Sequence, residues 1–207
     1  MERVDKNNYY LDIAETVIER GTCLRRNFGA IIVKNDEIVS TGYTGAPRGR
    51  KNCSDLGFCL REKLNIPRGE RYELCRSVHA EANCIISASR RDMIGSTLYL
   101  VGRDAKTKEL VESASSCAMC KRMIINAGIE KVIIRNTPDK YTVVNVSEWI
   151  ENDESLEGNR KLFKNEWNVR ILDASSFKPD DGPFITDPAG LFETMNILKT
   201  RLFIFTR

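Results

Sequence analysis

Histidine is almost absent from this chain of 207 residues; His79 is the only one. Long apolar runs are absent as well. No stretch reaches the roughly 18 residues that a membrane-spanning helix needs. The opening residues, Met1-Glu2-Arg3-Val4-Asp5, lack the apolar core of a secretion signal. These two absences lead to the expectation of a cytoplasmic protein with no membrane partner. A strong charge of one sign is also missing. Lys and Arg number 32 and Asp and Glu 29, a formal net charge of +3. So small a surplus argues against nucleic-acid binding over the whole surface, while leaving room for a local basic pocket that takes one phosphate. There is no internal repeat and no low-complexity tract. Cysteine, by contrast, is present in an odd number, seven. An odd count argues against a simple disulfide framework, and without an export signal the thiols are expected to be reduced and available to metal.

The solitary histidine stands in His79-Ala80-Glu81, and two of the thiols stand in Cys117-Ala118-Met119-Cys120. Alone, a His-x-Glu pair carries little information, and a Cys-x-x-Cys pair carries moderate information. Together they supply three zinc ligands, His79, Cys117 and Cys120, with Glu81 beside them. Three protein ligands leave the fourth corner of a tetrahedral site open, which is the pattern of a catalytic rather than a structural zinc. Glu81 is then placed to carry protons beside the open corner. His-x-Glu followed by Cys-x-x-Cys is the pattern of the zinc-dependent nucleobase deaminases.

The surrounding periodicities predict a mixed α/β arrangement. Residues 8–20 read as a helix, from Leu11, Ala14, Val17 and Ile18 at helical spacing, with Gly21 as its C-terminal cap. Residues 28–33 and 38–41 read as two strands of a hairpin around a turn at 34–37. Residues 43–78 show no clean periodicity, and a loop of that length inside one domain calls for an explanation. Residues 79–90 read as a helix with Ala82, Ile85 and Ile86 facing inward. Residues 97–101 read as a strand, 117–127 as a helix and 131–134 as a strand. A strand, helix, strand succession is a crossover and predicts a parallel pair. Residues 136–156 are expected to add a short helix capped by Ser147 and anchored by Trp149 and Ile150. A further strand is expected over 167–173, a linker over 178–188, and an apolar segment at 198–205. Helix starts at His79 and Cys117 favour the thiolate through the partial positive charge and free amides of a helix N-terminus.

Several stretches resemble the deoxycytidylate deaminase family of the cytidine deaminase-like superfamily. They are residues 26–33 (Arg-Asn-Phe-Gly-Ala-Ile-Ile-Val), 40–49 (Ser-Thr-Gly-Tyr-Thr-Gly-Ala-Pro-Arg-Gly), 69–83 around the His79 motif, and 123–129 after the Cys120 motif. The resemblance covers about residues 5–150. It implies a three-layer α/β/α fold with a mixed central sheet, a deaminase domain over 1–156 and a C-terminal extension over 157–207. It also implies zinc-dependent hydrolysis of dCMP to dUMP, with Glu81 as proton carrier. Arg26, Asn27, Thr44, Arg48, Ala80 and Tyr141 are the residues it implies for substrate contact. The basic cluster Arg25, Arg26, Arg48, Arg50 and Lys51 reads either as phosphate recognition or as a solvated rim. Some family members carry an extra structural zinc, which here would take Cys23, Cys53, Cys59 and Cys75; the alternative reading of these four is scattered reduced thiols. Many form regulated oligomers, so a homo-oligomer, hexamer or dimer, and dCTP or dTTP effectors are further implications. Two departures from the family pattern stand out. Ser116 takes the place of the usual Pro before the first thiol and is expected to cap that helix instead. Thr44 takes the place of the usual Asn. The rival enzymatic reading is a transfer-RNA adenosine deaminase, and the non-enzymatic rival is a zinc-stabilised binding protein. A thiol oxidoreductase built on Cys117 and Cys120 would give no reason for His79 and Glu81.

Overall fold

Three stretches of consecutive buried residues form the centre: Ala30 to Val33, Leu98 to Val101 and Val132 to Ile134. A strand buried at every position must be covered on both faces. Because side chains alternate across a strand, these residues divide by parity. Ala30, Ile32, Leu98, Leu100, Val132 and Ile134 enter one core cluster, while Ile31, Val33, Tyr99, Val101 and Ile133 enter another. In the computed structural model of the chain, the described residues are 3–152, apart from 68 and 113, together with the backbone of Asn168–Leu172 and Leu202–Thr206. The chain divides into two compact units, Met1–Asp153 and Glu154–Arg207.

In the first unit the elements are helix α1 (Lys6–Val17), strands β1 (Arg26–Lys34) and β2 (Glu37–Tyr43), and single-turn helices α2 (Cys53–Leu56) and α3 (Leu60–Lys63). Helix α4 (Ala80–Ile86), a turn of helix α5 (Arg90–Met93), β3 (Thr97–Asp104), α6 (Ala118–Ala127), β4 (Lys131–Arg135), β5 (Tyr141–Asn145) and α7 (Val146–Glu151) follow. The five strands form one sheet in the order β2-β1-β3-β4-β5. All neighbours are antiparallel except β3 and β4, which are parallel. This is the expected hairpin plus crossover. Helix α1 supplies Tyr10, Leu11 and Ala14 to one face of the sheet; α4, α6 and α7 supply Ala80, Cys84, Ile124, Ala127 and Val146 to the other. The result is the expected three-layer α/β/α sandwich around a mixed sheet.

Local chemistry sets the boundaries. The Asp5 carboxylate accepts the amides of Asn7 and Asn8 at 3.0 and 3.2 Å, so α1 begins two residues earlier than periodicity suggested. At its other end the chain makes one 3-10 turn, and Gly21 is not a left-handed cap: its φ is −65°. A Cβ there would stand 2.6 Å from the Asn27 amide, so the glycine serves close approach. The β1–β2 turn carries positive φ at Asn35 and Asp36, as a tight hairpin with the sheet's own twist requires. On the α1 face, Arg135 is 4% exposed and pairs with Glu15 and Asp12, each at 2.7 Å, while Arg103 also pairs with Glu15.

Some expectations fail for identifiable reasons. Residues 136–156 hold a strand before the helix; β5 is a half-exposed edge strand, and its single apolar pair gave too short a pattern to read. Asn145, not Ser147, precedes α7, and Ile150 is exposed while Trp149 packs on the core. Ile86 faces solvent as well, because α4 ends there and a separate turn, α5, follows. In the second unit, β6 (Asn168–Leu172) and β7 (Leu202–Thr206) form an antiparallel pair, placing a strand within the expected 167–173. The expected linker over 178–188 lies outside the described residues, as do the side chains of the apolar end.

Candidate metal centre

The two helices that matter begin at the same edge of the sheet. Helix α4 leads through α5 into β3, and α6 connects β3 to its parallel neighbour β4. Their N-termini therefore meet where the parallel strands end, the usual ligand edge of α/β sheets. His79 is the N-cap of α4 (φ −70°, ψ 155°) and Cys117 the N-cap of α6 (φ −68°, ψ 164°). At both positions the backbone is extended, so the side chain projects beyond the first helical turn rather than along it. Gly42 on β2 lets α4 settle: a Cβ at that point would stand 2.3 Å from the Ala80 carbonyl and 2.4 Å from the Cys84 nitrogen. Asn83 then pins the helix, its Nδ2 donating to the Tyr43 carbonyl at 2.8 Å.

This scaffold brings the three predicted ligands together. His79 Nδ1 lies 3.4 Å from Cys117 Sγ and 3.5 Å from Cys120 Sγ. Zinc bonds of about 2.0–2.1 Å to nitrogen and about 2.3 Å to sulfur at a tetrahedral angle place N and S about 3.6 Å apart. The two N–S separations thus fit a zinc ion, and all three ligand atoms lie within 4.8 Å of one another. Among the described residues, His79, Cys117 and Cys120 are the group whose ligand atoms approach this closely. Glu81, in the first turn of α4, is 4% exposed. Burial pushes its carboxyl up, against the opposing pull of its own backbone amide and His79. Cys117 is drawn toward the thiolate, first by its contact with Cys120 and then by His79, while the same contact and burial push Cys120 up. The contact with Cys117 also raises His79, against burial.

His79, Glu81 and Cys117 open on a cavity of about 160 Å³, whose wall also includes Phe28, Thr44 and Val111. Of the residues implied for substrate contact, Arg26 and Thr44 are on that wall. The Thr44 hydroxyl accepts the Phe28 amide at 3.1 Å, which fixes the β1–β2 edge beside the cavity. Asn27 is not on the wall: its side chain is spent on the Cys23 backbone, accepting at 2.9 Å and donating at 3.1 Å. Arg48 is exposed in a turn away from the wall, and Ala80 is fully buried under β2. Tyr141 packs in the α1 cluster, on the other face of the sheet, and its hydroxyl accepts from Asn7 at 3.0 Å. Ser116 does not cap α6; its buried hydroxyl lies beside the Glu81 carboxyl and pulls its pKa down, against burial. The motif survives because Cys117 itself adopts the N-cap backbone.

Cys23, Cys59 and Cys75 line the same cavity, and Cys53 lies close enough to interact with Cys23 and Cys59. All four are free thiols. Sequence reasoning missed Arg61 and Tyr72, which also line the cavity. Arg61 sits in the charged run Leu60-Arg61-Glu62-Lys63 and carries no signal of burial, yet it is 6% exposed.

The chain has relatives among known proteins. The family described as the cytidine and deoxycytidylate deaminase zinc-binding region matches residues 4–136. The deoxycytidylate deaminase of Mycobacterium phage D29 is 36% identical over 138 residues, covering 64% of this chain and 96% of that protein. That of Schizosaccharomyces pombe is 28% identical over 127 residues, and here the chain spans only 36% of the relative's length. A crystal structure of the dCMP deaminase of cyanophage S-TIM5 with dCMP and dUMP is similar at 26% identity and a TM-score of 0.44, covering 66% of this chain and 85% of that one. With a match that takes in more than half of its 207 residues and both halves of its ligand set, the chain belongs to the cytidine and deoxycytidylate deaminase zinc-binding family.

Proposed function

We propose that the chain catalyses the hydrolytic deamination of dCMP to dUMP with release of ammonia. The observation that carries the reading is the drawn-together trio of His79, Cys117 and Cys120 beside a buried Glu81. His79, Cys117 and Cys120 would hold a zinc ion, which would supply Lewis acidity enough to lower a water's pKa to about 7. Glu81, buried beside that trio, takes a proton from the attacking water. It then delivers that proton to N3 of the pyrimidine as oxygen bonds to C4. The second proton of the water reaches the amino group through the same carboxyl, the C4–N bond breaks, and ammonia leaves. One water is consumed, and the C4 carbonyl and ammonia are the products. The apolar wall of Phe28 and Val111 keeps bulk water away from the carboxyl.

Arg26, joined on the wall by Arg25 and Arg61, supports recognition of a nucleotide phosphate. Asn27 then acts by holding the 21–25 turn rather than by touching the sugar. Cys23, Cys53, Cys59 and Cys75 are read as a second, structural zinc site. Their clustering and their free state support it, and a closed four-thiolate site would explain how residues 43–78 hold their shape. Zinc near two per chain, in protein never exposed to chelator, is the expected content; one per chain would remove the second site. A homo-oligomer and dCTP or dTTP effectors complete the reading. The deciding assay measures ammonia from cytidine, CMP, dCMP, dCTP and transfer RNA in parallel, with and without dCTP or dTTP. dCMP should be turned over fastest. Release from transfer RNA, or from cytidine as readily as from dCMP, would overturn the substrate assignment.

A further inference from the structure

A ligand imidazole must be held in the plane that aims its nitrogen at the ion, because rotation about its outer bond is soft. The usual device is a hydrogen bond from the second ring nitrogen to a carboxylate or carbonyl. His79 shows no such bond to a described residue; its hydrogen-bond contacts are those of Nδ1 with the two sulfurs. The ring instead meets Tyr72. The two rings stand edge to face, with centroids 5.0 Å apart and planes at 86°.

Tyr72 is itself backed. The Arg61 guanidinium lies 4.5 Å from the Tyr72 ring centre, within the range of a cation–π contact. Arg61 is 6% exposed and cannot swing away: one terminal nitrogen donates to the Pro67 carbonyl at 3.0 Å and to the Glu70 carbonyl at 2.6 Å. The loop carbonyls, the guanidinium, the phenol ring and the imidazole therefore form one continuous stack. It runs from the long loop into the cavity, and Arg61, Tyr72 and His79 all line that cavity. We propose that Tyr72, braced by Arg61, is the positioning residue that sets the plane of His79 and so the affinity and geometry of the metal centre. The ring does the positioning, and the phenol hydroxyl is not required. The inference rests on the metal-dependent reading above. It also assigns the long loop a role in that reading, as the support for the one ligand that is not a thiol.

The test uses the full chain with Tyr72→Phe, Tyr72→Leu and Arg61→Met. Two readouts do not depend on turnover: zinc affinity by competition with a chromogenic chelator, and the visible spectrum of the cobalt-substituted protein. The third is kcat and KM for dCMP. Tyr72→Leu should weaken zinc binding by about 10–100-fold, the loss typical of removing a ligand's support, change the cobalt bands, and lower kcat more than it raises KM. Tyr72→Phe should restore wild-type affinity and spectrum. Arg61→Met should fall between the two, and it carries the test should Tyr72→Leu fail to fold by circular dichroism. Wild-type affinity and cobalt spectrum in Tyr72→Leu, or in Arg61→Met where that variant stands in, would overturn the proposal. So would a Tyr72→Phe variant as impaired as Tyr72→Leu. A wild-type chain that binds cobalt at this site but does not deaminate dCMP would overturn the proposed function and leave the positioning role standing. A wild-type chain that binds neither metal would overturn both.

Discussion

Two clusters of cysteine and histidine border one cavity, through His79 and Cys117 on one side and Cys23, Cys59 and Cys75 on the other, and they are built differently. His79, Cys117 and Cys120 stand at the starts of two helices packed on the same side of a sheet, and His79 Nδ1 lies 3.4 and 3.5 Å from the two sulfurs. Cys23, Cys53, Cys59 and Cys75 come from a turn and a long loop of single helical turns, and they gather without reaching that spacing. Ligands carried on a packed core are preorganised by side-chain burial. Ligands carried on a loop with little core of its own depend on the ion to fix the chain. The difference suits the proposed roles, one site that must keep an open corner for chemistry and one that only has to close.

The largest effect should come from the packed site. Glu81→Gln is expected to lower kcat for dCMP by about 10³-fold, within the usual range for a general acid–base group, and to leave zinc content unchanged. Zinc analysis and ammonia release on the same sample check this. Next, Gly42→Val places methyl groups where the Ala80 carbonyl and Cys84 nitrogen already stand. Such overpacking costs about 3 kcal/mol, and it should loosen His79 and reduce metal at the first site, which a denaturant titration and a metal count will show. Third, Cys75→Ser and chelation should act on the loop site: limited proteolysis should speed up within 43–78 while amide exchange in β1, β3 and β4 stays slow. Equal loss of protection in sheet and loop would erase the contrast between the two regions.

The smallest effect is a pH dependence on the far face of the sheet, where no metal is involved. Burial raises the Glu15 carboxyl, but the hydrogen bonds from Arg103 and Arg135 outweigh it and hold its pKa below the ordinary value. A folded-state pKa below the unfolded one contributes stability that is present above the unfolded value and lost as pH falls through the folded value. Glu15→Gln should therefore lower stability near pH 7 by about 1 kcal/mol, as expected for a partly buried charged hydrogen bond, and the deficit should vanish below the ordinary carboxylate range. Urea titrations at several pH values measure it.

What was legible in the sequence follows the same division. The trio could be read because its spacing is short-range and its helix starts are marked, and the sheet could be read because its strands are runs of aliphatic residues. Tyr141 was misplaced because the edge strand β5 went unread, and without the strand its parity is unknown; one residue decides which face a side chain takes. Asn27 looked like a substrate contact, but its amide closes a local bond to Cys23, which competes with any outward role. Arg61 was invisible because its partners are carbonyls of an aperiodic loop, and no pattern of side chains announces where those carbonyls will point. The same loop hides Tyr72, which the cavity geometry alone brings to His79.

X-ray absorption at the zinc edge, on a Cys23→Ser/Cys75→Ser variant that still deaminates dCMP, tests the central claim most directly. Two sulfurs at about 2.3 Å, one imidazole nitrogen at about 2.0–2.1 Å and one light-atom water ligand are the predicted shell. Zinc bound by four protein ligands, or a variant that turns over dCMP with no zinc, would contradict it.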